Sequence, residues 1–545
     1  MKTVVAAALG ECVHVAGVLS FLRICEQAGW HTVFLGPALP PSEIVSQAIA
    51  QHADLVGVSY RLTPETGAGW LGEFAEAADQ LRDAGVRFVF GGTPPVAKVA
   101  GGLGFFDSVF DGQQTPEEIR AFLNSSVDQT TVKPTYPQST LDRIRWKHPY
   151  PLLRHHFGLP DLDATHDGIR KISESKVLDV LSLGIDQDAQ ENFFRPERQD
   201  ARRTGAGGVP VREPEHYRML FEASRCGNLP LMRTYSGCDD FIALARMYVD
   251  TINIAWPAIP LFWFNQMDGR GPLDLQDSIV EHRRLMAWYA QRGLPVEVND
   301  PHHWSLRDAP DVIFVVSGYL GALNAKSTGV QDHIVQMMFN TPPSVSDSMD
   351  LAKMLATLDL VESLAGPDFR IWRQTRTGLL SYPLDSASAR SHLATSVYVQ
   401  MALRPHIVHV VAHCEAHHAA TPDDVIESCK IAQRSIENAL QGQPDMTCDP
   451  QVQDRRRQLV SEAQVLLGAI RKLGSSNHAN SLTQPSVLAR AVTMGLLDAP
   501  NLRNNRFARG AIRTITDPQG RCVAIDGERN FLTEEQRIRS LELTI

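Results

Sequence analysis

The sequence predicts an α/β protein built as two successive units: a doubly wound, flavodoxin-like parallel sheet, then a (β/α)8 barrel with a C-terminal extension. Three observations carry this. Short apolar runs alternate with amphipathic stretches of helical period from residue 1 to about 125. The alternation resumes on a longer period between about 175 and 440, with seven or eight repeats. A chain of 545 residues is also too long for one ordinary core.

Within residues 1–125, "KTVVAAAL" reads as a buried first strand rather than a leader peptide. Its apolar run meets Glu11 within a few residues and offers no small-residue cleavage site. "VAGVLSFLRICEQAG" has apolar residues at helical spacing and stops at Gly29. "HTVFLG" is the next strand, and "PSEIVSQAIAQHA" the next helix, with Ser42 expected as its N-cap. "DLVGVSY", "GEFAEAADQLRDAG", "VRFVFGG", "FDSVFDG" and "TPEEIRAFLNSS" continue as strand, helix, strand, strand and helix. Such repeats build a parallel sheet that binds ligands at the carboxyl ends of its strands.

Residues 126–172 carry Pro, Thr and His without periodicity and read as a linker. The barrel is expected over 173–440, with strands at "VLDVLSLGID", "LPLMRTYSG", "INIAWPA", "LPVEVND", "HIVQMMF", "FRIWRQT" and "HIVHVVAH". Helices such as "SIVEHRRLMAWYAQRG" and "MDLAKMLATLDLVESLAG" lie between them. Residues 441–545 read as a charged helix, "QDRRRQLVSEAQVLLGAIRKL", and an irregular segment.

The composition, 43% hydrophobic and 21% charged, is that of a globular protein, and a formal net charge of −10 leaves no basic footprint for nucleic acid. No run approaches about 20 uninterrupted apolar residues, so no membrane span is expected. Eight Cys without a CxxC pair make no disulfide framework, which fits a reducing cytoplasm. The expected partner is a small molecule, with a homodimer left open.

Three loops at strand ends of the first unit carry chemistry. "CVHVAG" sets His14 between Cys12 and Gly17, "VSYRLTP" offers Ser59 and Thr63, and "FGGTPP" offers Gly91, Gly92 and Thr93. In a doubly wound sheet these ends converge on one edge. A histidine ligates metals, a serine can hydrogen-bond a heterocycle in a slot, and glycines let a flat group approach the backbone. In order and spacing, over about 120 residues, the loops resemble the cobalamin-binding domain of methionine synthases, carbon-skeleton mutases and corrinoid proteins. That family's pattern is D-x-H-x-x-G, then S-x-L, then G-G.

The resemblance implies that His14 is the lower axial ligand of cobalt. It also implies that the dimethylbenzimidazole tail of the cofactor is displaced into a slot beside Ser59, with Gly17, Thr63, Gly91, Gly92 and Thr93 around the cofactor. Two positions depart from the pattern. Cys12 stands where the family has the Asp that accepts the histidine's other N–H, with Glu11 adjacent, and Arg61 replaces an apolar residue.

In the barrel segment, "HIVHVVAHCEAHH" alternates, so that His409, Val411 and His413 share one side, with Cys414, Glu415, His417 and His418 following at the strand's end. Catalysis in barrels sits at these ends. His, Cys and Glu are also zinc ligand types. "NDPHHW" adds His302 and His303, and "FNQMDGR" adds Asn265, Asp268 and Arg270. "IPLFWF" reads as core or pocket wall.

Scattered short motifs from about 175 to 540 resemble the large, catalytic subunit of glutamate mutase: "LPLMRTYSGCDD", "GLPVEVNDPHHWSLRDAPD", "YPLDSASARSHLA", "IVHVVAHCEAHHAATPDD" and "RGAIRTITDPQGRCVAIDG". The resemblance implies that Arg233 binds a substrate carboxylate and that Glu415 holds an adenosyl ribose. The family places three arginines on two carboxylates, and of these only Arg233 is matched. Asn299 falls at the second, Arg195 lies near the third, Val411 replaces an adenosine-contacting lysine, and Lys326 stands in the region of the catalytic glutamate. The expected substrate is therefore a small carboxylate other than glutamate.

Two functions follow. The first is a cobalamin-dependent isomerase using adenosylcobalamin, in which Arg233 clamps a carboxylate, Glu415 holds the ribose, and His303 or His413 holds a polar group or moves a proton. The second is a corrinoid methyltransferase using methylcobalamin, with zinc as a further ion at His413, Cys414 or Glu415. A cobalamin carrier or sensor is a third, non-enzymatic reading.

Overall fold

The computed structural model of the chain describes residues 2–114, 116–124, 136–474 and 480–541. The chain divides into two compact units, Met1–Pro134 and Thr135–Ile545.

In the first unit the expected alternation produces β1 (Thr3–Leu9), α1 (Ala16–Gln27), β2 (His31–Leu39), α2 (Pro41–Ala50) and β3 (Leu55–Tyr60). It continues as α3 (Pro64–Asp83), β4 (Arg87–Gly92), α4 (Pro94–Gly102), β5 (Ser108–Phe110) and α5 (Pro116–Asn124). The strands pair in parallel in the order β2-β1-β3-β4-β5, a flavodoxin-like sheet whose switch point lies between β1 and β3. From Val4 onward β1 is buried, as helices on both faces of a parallel sheet require. Gly10 turns the chain out of β1 with φ +64°, and a Cβ there would lie 2.6 Å from the Trp70 indole. Ser42 is not a cap. Pro41 opens α2, where its missing N–H costs nothing, and Pro40 occupies the N-cap.

The second unit holds eight parallel strands among its described residues. They are β6 (Leu152–Phe157), β7 (Val180–Leu183), β8 (Leu231–Arg233), β9 (Ala258–Ile259), β10 (Val296–Val298), β11 (Asp332–Phe339), β12 (Arg370–Thr377) and β13 (Ile407–His409). Chain neighbours pair from β6 to β8 and from β9 to β13, and β13 pairs with β6. A bridge between Tyr235 and Ala258 joins the end of β8 to β9 and completes the ring. This is the expected barrel.

Its first strand comes from the stretch read as a linker, which also forms helices Thr140–Lys147 and Leu162–Glu174. Residues 126–135 of that stretch lie outside the described residues. Strand β6 escaped detection because "LLRHHF" turns Arg154 and His156 into the barrel, so its period of two is polar inward.

The charged helix of the extension, Pro450–Lys472, packs on helices Asp347–Glu362 and Asp311–Ser327. The irregular segment contains an antiparallel hairpin, β14 (Arg513–Thr516) and β15 (Cys522–Ile525). No helix among the described residues is long and apolar enough to cross a membrane.

A buried charge network ties this extension to the barrel. Lys353 Nζ lies 2.8 Å from Asp350 and 3.5 Å from Asp311, and donates to the Thr341 carbonyl at 2.7 Å. Arg455, from the C-terminal helix, reaches the other oxygen of Asp311 at 2.9 Å. None of these side chains is more than 4% exposed, so removing one partner leaves a charge that water cannot reach. Lys353→Met is expected to cost about 3–5 kcal/mol of stability. Urea unfolding of the full chain checks this, and a loss under about 1 kcal/mol, the range of exposed pairs, would contradict it.

Candidate functional site

The ends of β1, β3 and β4 open on a slot of about 380 Å³. Phe21 and Ile24 of α1, Phe110 of β5 and Ile119 of α5 form apolar walls around Ser59 and Gly91, which lie side by side in register on β3 and β4. The Ser59 hydroxyl is buried and has no hydrogen-bond partner. A buried polar atom left without a partner is costly, and it marks where a ligand's polar group belongs. A Cβ on Gly91 would meet nothing within 4 Å, so this glycine keeps the slot open. Gly92 has a different reason: its Cβ would fall 2.7 Å from the Tyr60 carbonyl oxygen, a clash inside the protein.

His14 stands exposed at the rim, on the loop between β1 and α1. Its Nδ1 lies 3.8 Å from Sγ of Cys12, which is wholly buried. Glu11 cannot substitute for the missing Asp. The Tyr60 hydroxyl donates to its carboxylate at 2.7 Å and holds it below the usual range. Cys12 therefore holds the position beside the ring.

Gly17, Gly92, Thr93 and Arg61 line the slot as well. Thr63 does not. Its hydroxyl caps α3 by accepting from the Thr66 amide at 3.3 Å. Asp111, Gly112 and Gln114 line the slot without having been foreseen. They form a turn after β5 in which Gln114 and Asp111 exchange hydrogen bonds of 2.9 and 3.0 Å, and its hydrophilic sequence reads only as a loop.

A second cavity, of about 390 Å³, lies at the carboxyl ends of the barrel strands. The period of two sends into it Arg154 and His156 from β6, Arg233 from β8, Glu297 from β10 with Asn299 just past its end, Arg376 from β12 and His409 from β13. Glu297 is wholly buried. One of its oxygens accepts from Trp256 Nε1 at 2.7 Å and lies 3.4 Å from Arg154 and 3.6 Å from Arg233. Burial opposes this charge, but Arg233, Arg154 and the indole N–H outweigh it and hold the carboxyl below its usual range.

Arg154 is occupied by the protein, bonded to Ser182 at 2.7 Å and Gln374 at 3.0 Å. Nη1 of Arg233, 3.6 Å from Glu297, and Nε of Arg376 make no hydrogen bond. Burial lowers the pKa of all three arginines, yet a guanidinium stays protonated in proteins. Three buried cations thus face one buried carboxylate, and the cavity attracts an anion.

Of the expected barrel residues, Arg233, His303 and Glu415 line this cavity. His303 packs against His302, ring centres 4.0 Å apart, and against Trp263 at 5.7 Å. Burial pushes both histidines well below 6.5, so they are neutral. His413 is placed elsewhere. The strand ends at His409, the alternation stops, and His413 turns its Nε2 to Glu427 at 3.0 Å. Its neighbours still form a cluster, because donor atoms of His413, Cys414 and Asp424 lie within 4.8 Å of one another.

Arg195 pairs with Asp239 and Asp240 at 2.9 and 2.8 Å, and Lys326 donates to the Leu364 carbonyl at 2.7 Å; neither lines the cavity. Leu261, Phe262, Trp263 and Phe264 are buried, as expected for core or wall. Arg154 and Arg376 were missed. Their signal was a charged residue inside a short strand-like run, "LLRHHF" and "RIWRQTRT".

Residues 2–119 match the B12 binding domain family, so the first unit is a Rossmann-like B12-binding domain. Among solved structures, the chain is similar to a cobalamin-binding protein from Desulfitobacterium hafniense DCB-2, at 20% identity and a TM-score of 0.20. That similarity covers 23% of this chain and 58% of the other. It is also similar to a truncated 3-deoxy-D-arabino-heptulosonate 7-phosphate synthase from Thermotoga maritima, at 12% identity over 54% of this chain and 88% of that one, TM-score 0.31. A third structure is 2,3-dimethylmalate lyase, a PEP mutase/isocitrate lyase superfamily member, at 12% identity over 62% of this chain and 100% of that one, TM-score 0.28. No curated protein matches the chain.

Gly91→Leu would place a side chain in the slot and is expected to weaken cobalamin binding at least about tenfold, a loss of about 1.4 kcal/mol, without lowering the melting temperature. Titration of the full chain followed by visible absorbance checks this, and unchanged affinity would show that the slot is not used.

Proposed function

We propose that the chain is a cobalamin-dependent isomerase that rearranges the carbon skeleton of a small carboxylic acid other than glutamate. The observation that carries the reading is the barrel cavity. In a chain that also carries a B12-binding domain, Arg233 and Arg376 each offer an anion a buried N–H that makes no hydrogen bond within the protein.

The slot residues fit the cofactor. Ser59 presents an orphaned hydroxyl, Gly91 leaves open space, and His14 stands at the rim with Cys12 beside its Nδ1. His14 would ligate cobalt, and the slot between α1, α5 and the sheet would take the nucleotide tail. When bound, adenosylcobalamin supplies a carbon radical by homolysis of its cobalt–carbon bond.

The protein's own residues do the rest. Arg233 and Arg376 hold carboxylate oxygens through charge-assisted hydrogen bonds, and Glu297, itself paired with Arg154, steadies the Arg233 fork. His303, neutral and wedged against Trp263, orients an uncharged polar group. Glu415, which lines the barrel cavity, would accept hydrogen bonds from ribose hydroxyls of the adenosyl group. The buried walls limit the water that can quench a reactive intermediate.

A second reading, a corrinoid methyltransferase using methylcobalamin, has one observation in its favour. His413, Cys414 and Asp424 supply nitrogen, sulfur and oxygen donors of the types zinc takes. One experiment separates the two. The adenosylcobalamin-loaded chain is mixed with a set of four- to six-carbon mono- and dicarboxylates, and cob(II)alamin absorbance is followed. At least one acid is expected to produce the signal, and Arg233→Met to abolish it while leaving cobalamin affinity intact. No signal with any acid, together with stoichiometric zinc in the purified protein and methyl transfer from methylcobalamin, would replace the isomerase with the methyltransferase.

A further inference from the structure

We infer that the acid held in the barrel cavity carries no ammonium group: it is a hydroxy, oxo or unsubstituted carboxylic acid rather than an amino acid. This rests on the reading of the cavity as an acid site and narrows it.

The charged side chains that line the cavity, among the described residues, are Arg154, Arg233, Arg270, Arg376, Glu297 and Glu415. An ammonium buried here needs a carboxylate that no other cation holds. Neither glutamate meets this need. Glu297 already shares one oxygen among Trp256, Arg154 and Arg233, and a cation at its free oxygen would sit beside both guanidiniums. Glu415 interacts with Arg376 across the rim.

Aromatic faces are the other means of holding a cation, and those of Phe264, Tyr235 and nearby Trp256 are taken. Arg270 covers Phe264 at 4.0 Å, Arg233 lies over Trp256 at 5.2 Å, and His156 stacks on Tyr235 at 5.3 Å.

What the cavity offers in place of charge is neutral hydrogen bonding. His156 Nδ1, His302 Nδ1, His303 Nε2, His409 Nδ1, Asn299 Oδ1 and Gln336 Oε1 are all buried without partners. Burial holds these four imidazoles uncharged, and at three of them a neighbouring guanidinium is the next-largest influence. An imidazole and an amide together satisfy a hydroxyl, which both donates and accepts, or a carbonyl, which accepts. An ammonium would find acceptors here but no compensating charge. Carboxylates go to Arg233 and Arg376, and the imidazole–amide wall takes the oxygen substituent.

The test is isothermal titration of the full chain loaded with adenosylcobalamin, using skeleton-matched acids. Succinate, malate and oxaloacetate are compared with aspartate; glutarate, 2-hydroxyglutarate and 2-oxoglutarate are compared with glutamate. In at least one series the ammonium-free acid is expected to bind at least about tenfold more tightly than the amino acid. Asn299→Asp, which adds a carboxylate to the wall, is expected to narrow that gap by raising amino-acid affinity. Aspartate or glutamate binding as tightly as its matched acids would overturn the inference and leave the acid site standing. Binding of none of the eight would overturn the acid site itself.

Discussion

One buried carboxylate makes the barrel interior possible. Barrel interiors are ordinarily filled by branched apolar side chains. Here Arg154 and Arg233 occupy that space, and Glu297 between them compensates part of their charge. Without it, two desolvated guanidiniums would repel each other inside the strands. With it, Arg154 is engaged by Ser182 and Gln374, while Nη1 of Arg233, 3.6 Å from Glu297, makes no hydrogen bond. A structural cation and a ligand-binding cation thus arise from the same ion cluster. Arg376, without an ion partner at hydrogen-bond distance, adds the second free donor. The surplus of positive charge is what gives the cavity a chemical preference, and the neutral imidazoles around it keep that preference from depending on small changes in pH.

The first unit makes its site by leaving space rather than by adding charge. The slot needs a residue without a side chain on β4 and a small hydroxyl on β3, and it has Gly91 beside Ser59. The unusual feature is the thiol of Cys12 next to His14. A thiol is a weaker acceptor than a carboxylate, and Glu11, locked to Tyr60, does not make up the difference. The ring is positioned here with less electrostatic support than an aspartate would give.

The first unit was largely legible in the sequence because each βα repeat declares itself: an apolar run, a turn, an amphipathic helix. The order and spacing of three loops then named the ligand class that the family match supports. The barrel was less legible for a physical reason. Its strands carry arginine, glutamate and histidine at inward positions, so "LLRHHF" lacked the apolar signature of a strand and was read as linker. Arg154 was hidden with it, and Arg376 followed the recognised run "FRIWRQT" by a single residue. His413 was misplaced by extending strand alternation past His409, the last residue of β13. Thr63 was assigned to the ligand although a threonine before a helix-opening proline is first of all a cap. Side-chain burial and the pairing of charges across strands depend on closure of the ring, which no local pattern encodes.

The most direct measurement is electron paramagnetic resonance of cob(II)alamin bound to the full chain grown with nitrogen-15 histidine. If His14 is the lower ligand, each cobalt line is split into a doublet by a protein-derived nitrogen-15. A triplet from the cofactor's own nitrogen-14, unchanged by labelling, would show that the tail stays on cobalt and that His14 is only a residue of the loop.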